Sequence, residues 1–259
     1  MNDKLKKEVE SFDELWFGGF CRSKMGHATS IMKEEYGVQN SHGKTLIFSK
    51  FIEKVIDPYI TEETTALDIG TDGGFWAAYF HKAKSIIGMD IRPAEHTLYY
   101  ENLKKWDIVP DDTLQKYSYH MNRDFSCSSL QDNSVDYVFS FDVFCHISLS
   151  GQEQYLKNLF SKLKPGANLF IMIADAEEYT SEEMKDQFLG TAARNGVTYS
   201  SFEEFANDYD GQPFPGRWYW VGKDRFCELA VKYGYEVIDP NCCNGIVKFS
   251  PVVHLRKPF

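Results

Sequence analysis

The sequence predicts an α/β fold: a seven-stranded, mostly parallel sheet with helices on both faces and an antiparallel hairpin at the C-terminus. Three observations support this prediction. Short apolar runs alternate with helical stretches from Thr65 onward, as expected when helices connect parallel strands. The first of these runs ends in a glycine-rich loop. Two β-rich runs then stand side by side near the C-terminus, and such a pair is more readily antiparallel because a parallel pair needs a crossover.

The composition indicates a globular chain whose partners are small molecules. The 259 residues are 43% hydrophobic, which allows a sizeable core, and the net charge of −10 disfavours nucleic acid and anionic membranes. No apolar stretch has the length of a membrane span, and the N-terminus lacks the apolar segment of a signal peptide. We therefore expect no nucleic-acid or membrane partner and a monomer or homodimer. Six scattered cysteines indicate a cytoplasmic location.

Two stretches near the N-terminus predict helices. Apolar side chains recur at helical spacing over residues 5–16 and again over residues 46–56, with a glycine-bearing loop between them. We therefore expect residues 1–60 to form an N-terminal helical cap and residues 61–259 to form the main domain.

The main domain alternates strands and helices. The predicted strands cover residues 65–70, 85–90, 117–124, 135–143, 168–175, 235–239 and 245–257. The predicted helices cover residues 75–82, 94–106, 150–163 and 223–235. Short buried strands that alternate with helices indicate a mostly parallel sheet covered on both faces.

One long segment, residues 175–222, interrupts this alternation after the fifth strand. It combines an acidic helical sequence with an aromatic loop. An insertion at this point lies at the carboxyl edge of the sheet, where open α/β folds bind their ligands. We therefore expect it to form a lid on the acceptor side of a site.

The loop after the first strand carries the clearest chemical signal. It runs from Asp68 to Gly74, and its glycines permit a tight turn and close approach of a ligand to the backbone. A dinucleotide-binding loop would have a glycine where Asp72 stands. Because a carboxylate repels a pyrophosphate, the sequence favours a ligand that carries a positive charge at this point.

This loop resembles the first motif of class I S-adenosylmethionine-dependent methyltransferases, an acidic residue followed by three alternating glycines. Asp68, Gly70 and Gly74 match the motif, and Asp72 departs from it at the middle glycine. The segments around the fourth strand and the turn into the fifth also resemble the family. Each aspartate alone is equally typical of a helix or turn cap, so the prediction rests on the ordered set.

The resemblance implies S-adenosyl-L-methionine as the cofactor and the class I methyltransferase fold. Asp90, at the end of the second strand, is expected to accept hydrogen bonds from the ribose hydroxyls. Asp124 is expected near the adenine amino group, and Phe125 against the adenine ring. The cofactor-binding residues implied in this way are Asp68, Gly70, Thr71, Asp72, Gly73, Gly74, Asp90, Ile91, Asp124, Phe125, Phe141 and Asp142.

A histidine after the fourth strand is the candidate general base. Methyl transfer to a hydroxyl requires removal of its proton, and His146 follows Asp142 by four residues at the predicted carboxyl edge. The position equally suits a histidine that packs beside the cofactor or caps the next helix. Carboxylates near the ends of strands four and five have the oxygen ligands that Mg²⁺ prefers, but we predict no metal site.

The acceptor is predicted to be a small polar metabolite. The candidate acceptor-binding residues are His27, Arg217, Trp218, Tyr219 and His254. Aromatic rings of the lid suit a sugar face and Arg217 suits a phosphate or carboxylate, although a small hydrophobic core of the insertion explains the same residues. The sequence thus favours methylation of a hydroxyl on a sugar or sugar-nucleotide, within carbohydrate metabolism. The alternatives are an NAD(P)-dependent oxidoreductase and an N-methyltransferase of a small metabolite.

Overall fold

A computed structural model of the chain has the predicted α/β fold class. The structure describes residues 3–17, 46–105, 109–178, 182–246 and 250–259. Within these residues, seven strands form one sheet in the order β3-β2-β1-β4-β5-β7-β6. The strands are β1 (Thr65–Ile69), β2 (Ser85–Asp90), β3 (Tyr117–Met121), β4 (Val135–Ser140), β5 (Leu163–Met172), β6 (Glu236–Asp239) and β7 (Val252–Arg256).

Strand direction follows the prediction. Strands β1 to β5 pair in parallel, whereas β7 is antiparallel to both β5 and β6. In the register of the central strands, Leu67 of β1 lies between Ile87 of β2 and Val138 of β4. The carboxyl ends of β1, β2 and β4 therefore meet at one edge, and the loops that follow them are brought together there.

Nine α-helices surround the sheet in the described part of the chain. They are α1 (Asp3–Phe17), α2 (Leu46–Val55), α3 (Phe75–Ala78), α4 (Ala94–Thr97), α5 (Tyr99–Leu103), α6 (Leu149–Leu159), α7 (Glu182–Arg194), α8 (Phe202–Asn207) and α9 (Lys223–Lys232). Short 3-10 turns cover Asp111–Lys116, Phe144–His146 and Phe160–Lys162. Among these residues no helix is both long and apolar enough to cross a membrane.

Two predicted helices are shorter than expected near the glycine-rich loop. The helix predicted over 94–106 breaks at Leu98, which has a left-handed backbone (φ +56°), and the helix predicted over 75–82 ends at Ala78. The break turns the ring of Tyr99 into the core beneath the loop. A Cβ at Gly88 would lie 2.8 Å from this ring, so glycine is needed for the ring to fit.

Helices bury a separate apolar layer on each face of the sheet. On one face α2 contributes Phe51, which packs against Trp76 and Phe139. On the other face α1 contributes Leu5 and Val9, which join the cluster beneath α6 and α9. The N-terminal helices are thus part of the core on opposite faces.

The insertion after β5 is closed at its base. The backbone N–H of Gly222 donates to the carbonyl of Ala174 (3.0 Å), and the buried carboxylate of Asp175 accepts from the N–H of Lys223 (3.0 Å). Lys223 Nζ also contacts Asp175 (3.3 Å) and Glu178 (3.0 Å). These contacts hold both ends of the insertion at the carboxyl edge of the sheet.

Candidate active site

The glycine-rich loop makes a tight turn at the end of β1. Gly70 has a φ of +73°, and a Cβ there would lie 2.2 Å from Val143 of the neighbouring strand end, so the turn requires glycine. Asp68 is buried below the loop and accepts a hydrogen bond from the hydroxyl of Thr71 (2.7 Å). Burial raises the pKa of Asp68 to about 7, while the Thr71 hydroxyl and the Ala77 backbone oppose the increase. Asp68 therefore supports the loop from inside.

Asp90 ends β2 directly beside the glycine-rich loop. Its two carboxylate oxygens accept from the backbone N–H of Asp72 (3.0 Å) and of Arg92 (3.1 Å). A carboxylate offers about four acceptor positions, so both oxygens retain capacity for hydroxyl groups. The glycine turn and this carboxylate together fit a cofactor that carries a ribose diol.

Arg92 is a site residue that the sequence analysis missed. Its guanidinium is buried and pairs with the carboxylate of Asp72 (2.7 Å) and more loosely with Asp90 (3.5 Å). The negative charge of Asp72, which the sequence analysis assigned to a cationic ligand, is therefore balanced by this arginine. The only local signal was its position two residues after Asp90.

The segment after β3 places its two expected residues differently. Asp124 is exposed, and its carboxylate accepts from the N–H of Ser126 (3.0 Å). Phe125 is buried, and its ring packs edge-on against Tyr155 of α6 (5.1 Å between centroids). The expectation that Phe125 lies against adenine is therefore wrong, because the ring is part of the core. Ile91 is half-buried beside the site.

The loop after β4 brings an acid, a thiol and an imidazole together. Asp142 has a left-handed backbone (φ +60°), and its carboxylate accepts from the thiol of Cys145 (3.4 Å). More than a third of Asp142 is open to solvent, yet surrounding protein raises the pKa of its carboxyl group, which nearby His146 and the Cys145 thiol oppose. The ring of Phe141 packs with Trp76 in the core.

Donor atoms of Asp142, Cys145 and His146 lie within 4.8 Å of one another. Such a group has the dimensions of a metal site. The thiol–carboxylate hydrogen bond accounts for part of this spacing without an ion.

Backbone contacts fix the ring of His146. Its Nδ1 lies 3.0 Å from the carbonyl oxygen of Arg217 in the insertion. Because a carbonyl only accepts, this bond requires a proton on Nδ1 and leaves the basic lone pair of the neutral ring on Nε2. The ring edge also meets Trp218 at 5.8 Å between centroids. The backbone N–H of Tyr219 donates to the carbonyl of Cys145 (2.7 Å), so the insertion and the loop are joined at two points.

The side chain of Arg217 does not line the site. Its guanidinium is buried within the insertion and donates to the hydroxyl of Tyr199 (2.7 Å), the carbonyl of Gln212 (2.9 Å) and the carbonyl and carboxylate of Asp208 (2.7 and 3.1 Å). Tyr219 is also buried, with its ring 4.6 Å from this guanidinium. The expectation that both contact the acceptor is wrong, because they form the core of the insertion. Trp218 remains half-buried beside His146.

His254 also lies away from the site. Its ring stacks on Phe170 (4.2 Å between centroids), and its Nε2 lies 2.9 Å from the side-chain oxygen of Asn168. Burial lowers the pKa of His254 to about 4. It is a neutral core histidine, and its expected role in acceptor binding is wrong. His27 lies outside the described residues.

Comparisons with known proteins identify the family of the chain and agree with its fold. Residues 42–239 match the family described as "Methyltransferase domain", and no curated protein sequence matches the chain. Among solved structures, the DhpI complex with SAH is 12% identical with a TM-score of 0.61, covering 97% of this chain and 98% of that one. The Haloferax volcanii putative methyltransferase solved with its Trm112 activator is 14% identical, with a TM-score of 0.55 and coverage of 96% and 98%. An SAM-dependent methyltransferase from Aquifex aeolicus is 17% identical, with a TM-score of 0.52 and coverage of 88% and 98%.

Proposed function

The chain belongs to the class I S-adenosylmethionine-dependent methyltransferases, and from this premise we propose that it methylates a hydroxyl group of a small polar acceptor. The acceptor class we propose is a sugar, a sugar-nucleotide or a related metabolite. The family assignment decides against the alternative of an NAD(P)-dependent oxidoreductase.

One observation carries the proposal of a hydroxyl acceptor: an oriented imidazole stands beside a carboxylate at the carboxyl end of β4. The Arg217 carbonyl holds the Nδ1 proton of His146, which leaves Nε2 as the basic atom. Asp142 and His146 have donor atoms within 4.8 Å of each other, and nearby His146 opposes the rise in the pKa of the Asp142 carboxyl group, so the two side chains interact electrostatically. A hydroxyl acceptor needs such a base, whereas a neutral amine brings its own lone pair.

Different residues would bind the cofactor and remove the acceptor proton. The bound cofactor supplies an activated methyl group on its sulfonium. The turn at Gly70 and the carboxylate of Asp90 would hold the cofactor, and His146 would accept the hydroxyl proton at Nε2. Alignment of the two reactants is the main contribution an enzyme makes to such a displacement, and it reaches about 7–11 kcal/mol in favourable cases.

The insertion supports a polar acceptor through Trp218. This ring is half-buried next to His146, a position from which an aromatic face can stack on a sugar. We propose that residues 175–222 cover the acceptor above a catalytic domain of residues 61–259, to whose core the helices of residues 1–60 contribute. We also propose a cytoplasmic setting, because the five cysteines of the described residues carry free thiols. The proposed sugar acceptor would place the reaction within carbohydrate metabolism.

Turnover of His146→Ala tests the proposed base. Purified protein with S-adenosylmethionine is screened against sugars, sugar-nucleotides and small amines, and methyl transfer is followed by mass spectrometry. For a hydroxyl acceptor we expect His146→Ala to lower kcat by about 10²- to 10⁴-fold with an unchanged Kd for S-adenosylhomocysteine. His96→Ala, on the short helix α4, is the matched control. Wild-type turnover in His146→Ala, or methylation of amines alone, contradicts the proposal.

A further inference from the structure

A buried carboxylate on the N-terminal helix reaches the loop that carries His146. Glu8 of α1 is completely buried, and its two oxygens accept from the backbone N–H (2.7 Å) and the hydroxyl (2.6 Å) of Ser148. Ser148 is itself buried and stands two residues after His146. A residue 140 positions away in sequence therefore holds the end of the loop that carries His146.

Ser148 is also the N-cap of α6. Its hydroxyl oxygen accepts from the N–H of Gly151 (3.2 Å) while its hydroxyl proton goes to Glu8. A Cβ at Gly151 would lie 3.1 Å from Glu8 Oε1, so glycine leaves room for the carboxylate at the start of the helix. A negative charge at this end of a helix is favourable because the free N–H groups carry partial positive charge.

The start of α6 also forms hydrogen bonds with the insertion. The N–H of Ser150 donates to the carboxylate of Asp210 (2.9 Å), and the N–H of Leu149 donates to the carbonyl of Tyr209 (2.9 Å). Lys4 of α1 in turn reaches Asp210 (3.6 Å). The first turn of α6 therefore contacts the N-terminal helix, the loop that carries His146 and the insertion.

A second hydrogen-bonded group fixes the same loop from its other side. The side-chain amide of Gln152 donates to the carbonyls of Phe144 and Ile147, both at 2.9 Å. The 3-10 turn that contains His146 is therefore held by Gln152 within α6 and by Glu8 from α1. Neither residue is among those proposed to bind the cofactor.

We propose that Glu8 is a positioning residue, which fixes the 142–148 loop through Ser148 and so holds His146 in its bond to Arg217. The proposal rests on the proposed role of His146 as the base. A carboxylate taken out of water is costly, and burial raises the pKa of Glu8 to about 7 against the two Ser148 bonds. An apolar side chain would pack α1 as well, so the specific contribution of Glu8 is the pair of bonds to Ser148.

Glu8→Gln tests the proposal, with Glu10→Gln on the exposed side of α1 as the matched control. Three quantities are measured in the full chain: amide hydrogen exchange over residues 142–152, the fraction of His146 with its proton on Nδ1 by ¹⁵N NMR, and Kd for S-adenosylhomocysteine. Ser148→Ala removes the hydroxyl bond to Glu8 and the N-cap bond from Gly151 but keeps the glutamate and its backbone bond, so it serves as the second variant if Glu8→Gln does not fold.

We expect Glu8→Gln to increase amide hydrogen exchange over residues 142–152 by about tenfold. This is the change in local opening expected when one charged hydrogen bond is lost. The Nδ1-protonated fraction of His146 should fall, whereas cofactor affinity and exchange in β1 and β2 stay as in Glu10→Gln. Unchanged loop exchange and an unchanged tautomer in folded Glu8→Gln and Ser148→Ala would overturn the proposal. Because neither readout needs turnover, a failure of His146→Ala to affect kcat would count against the base and not against this coupling.

Discussion

At the scale of single residues, the Asp72–Arg92 pair sets the charge of the cofactor site. Asp68, Asp72 and Asp90 stand close enough for their charges to interact. Burial raises the pKa of Asp90, and the Arg92 guanidinium opposes that increase. Arg92 therefore favours the charged form of Asp90, the carboxylate proposed to hold the cofactor, in a loop where Asp72 takes the place of the middle glycine.

Arg92→Gln should weaken binding of S-adenosylhomocysteine by about tenfold, because Asp90 then lies beside Asp72 without a counter-charge. Asp72→Gly should weaken it less, since Asp72 is nearly half exposed and such pairs contribute about 1 kcal/mol or less. Calorimetry on the two single variants and the double variant measures their coupling. Fully additive effects, or an Arg92→Gln affinity equal to that of the exposed-site control Lys104→Ala, would contradict the assignment.

At the scale of elements, the insertion depends on the closure of its base by Asp175. Asp175→Asn keeps the shape but loses the charge that pairs with Lys223, at a cost of about 1.5–3 kcal/mol for a charged hydrogen bond. We expect limited proteolysis between residues 176 and 221 to become about tenfold faster, since cleavage follows local opening. Glu178→Gln, which removes the more exposed partner of Lys223, is the control. Equal cleavage rates in the two variants would show that Asp175 does not hold the insertion.

Some features of these elements could be predicted from local sequence patterns, and others could not. Local apolar runs predicted the approximate strand positions and the C-terminal hairpin. The glycines of the loop after β1 predicted the turn at Gly70. The roles of Arg217 and Glu8 depend on contacts over long sequence separations, so no local pattern reveals them. An aromatic loop with an arginine has the same composition whether it binds a ligand or forms a core, and only the burial of Arg217 distinguishes the two.

At the scale of the whole molecule, buried titratable groups give stability two opposing dependences on pH. The folded-state pKa of Glu8 and of Asp68 is raised to about 7 by burial, so their contribution is present at low pH and is lost as pH rises toward 7. His254 has a pKa lowered to about 4, so its contribution is lost as pH falls from 6.5 toward 4. The two sets partly cancel in the wild-type chain, and a difference between variants separates them.

Comparison with Glu8→Gln isolates the contribution of Glu8, because His254 and Asp68 affect both chains equally. The described groups that interact with the Glu8 carboxyl group are Ser148, Lys4, Asp210 and Tyr219. As the pKa of Glu8 rises from 4.5 to about 7 on folding, the free energy of unfolding of the wild type relative to Glu8→Gln should fall by about 2–3 kcal/mol between pH 5 and pH 8. Urea unfolding across this range measures the difference. A difference that stays constant, or that grows in favour of the wild type with increasing pH, would show that Glu8 is ionised on folding without penalty.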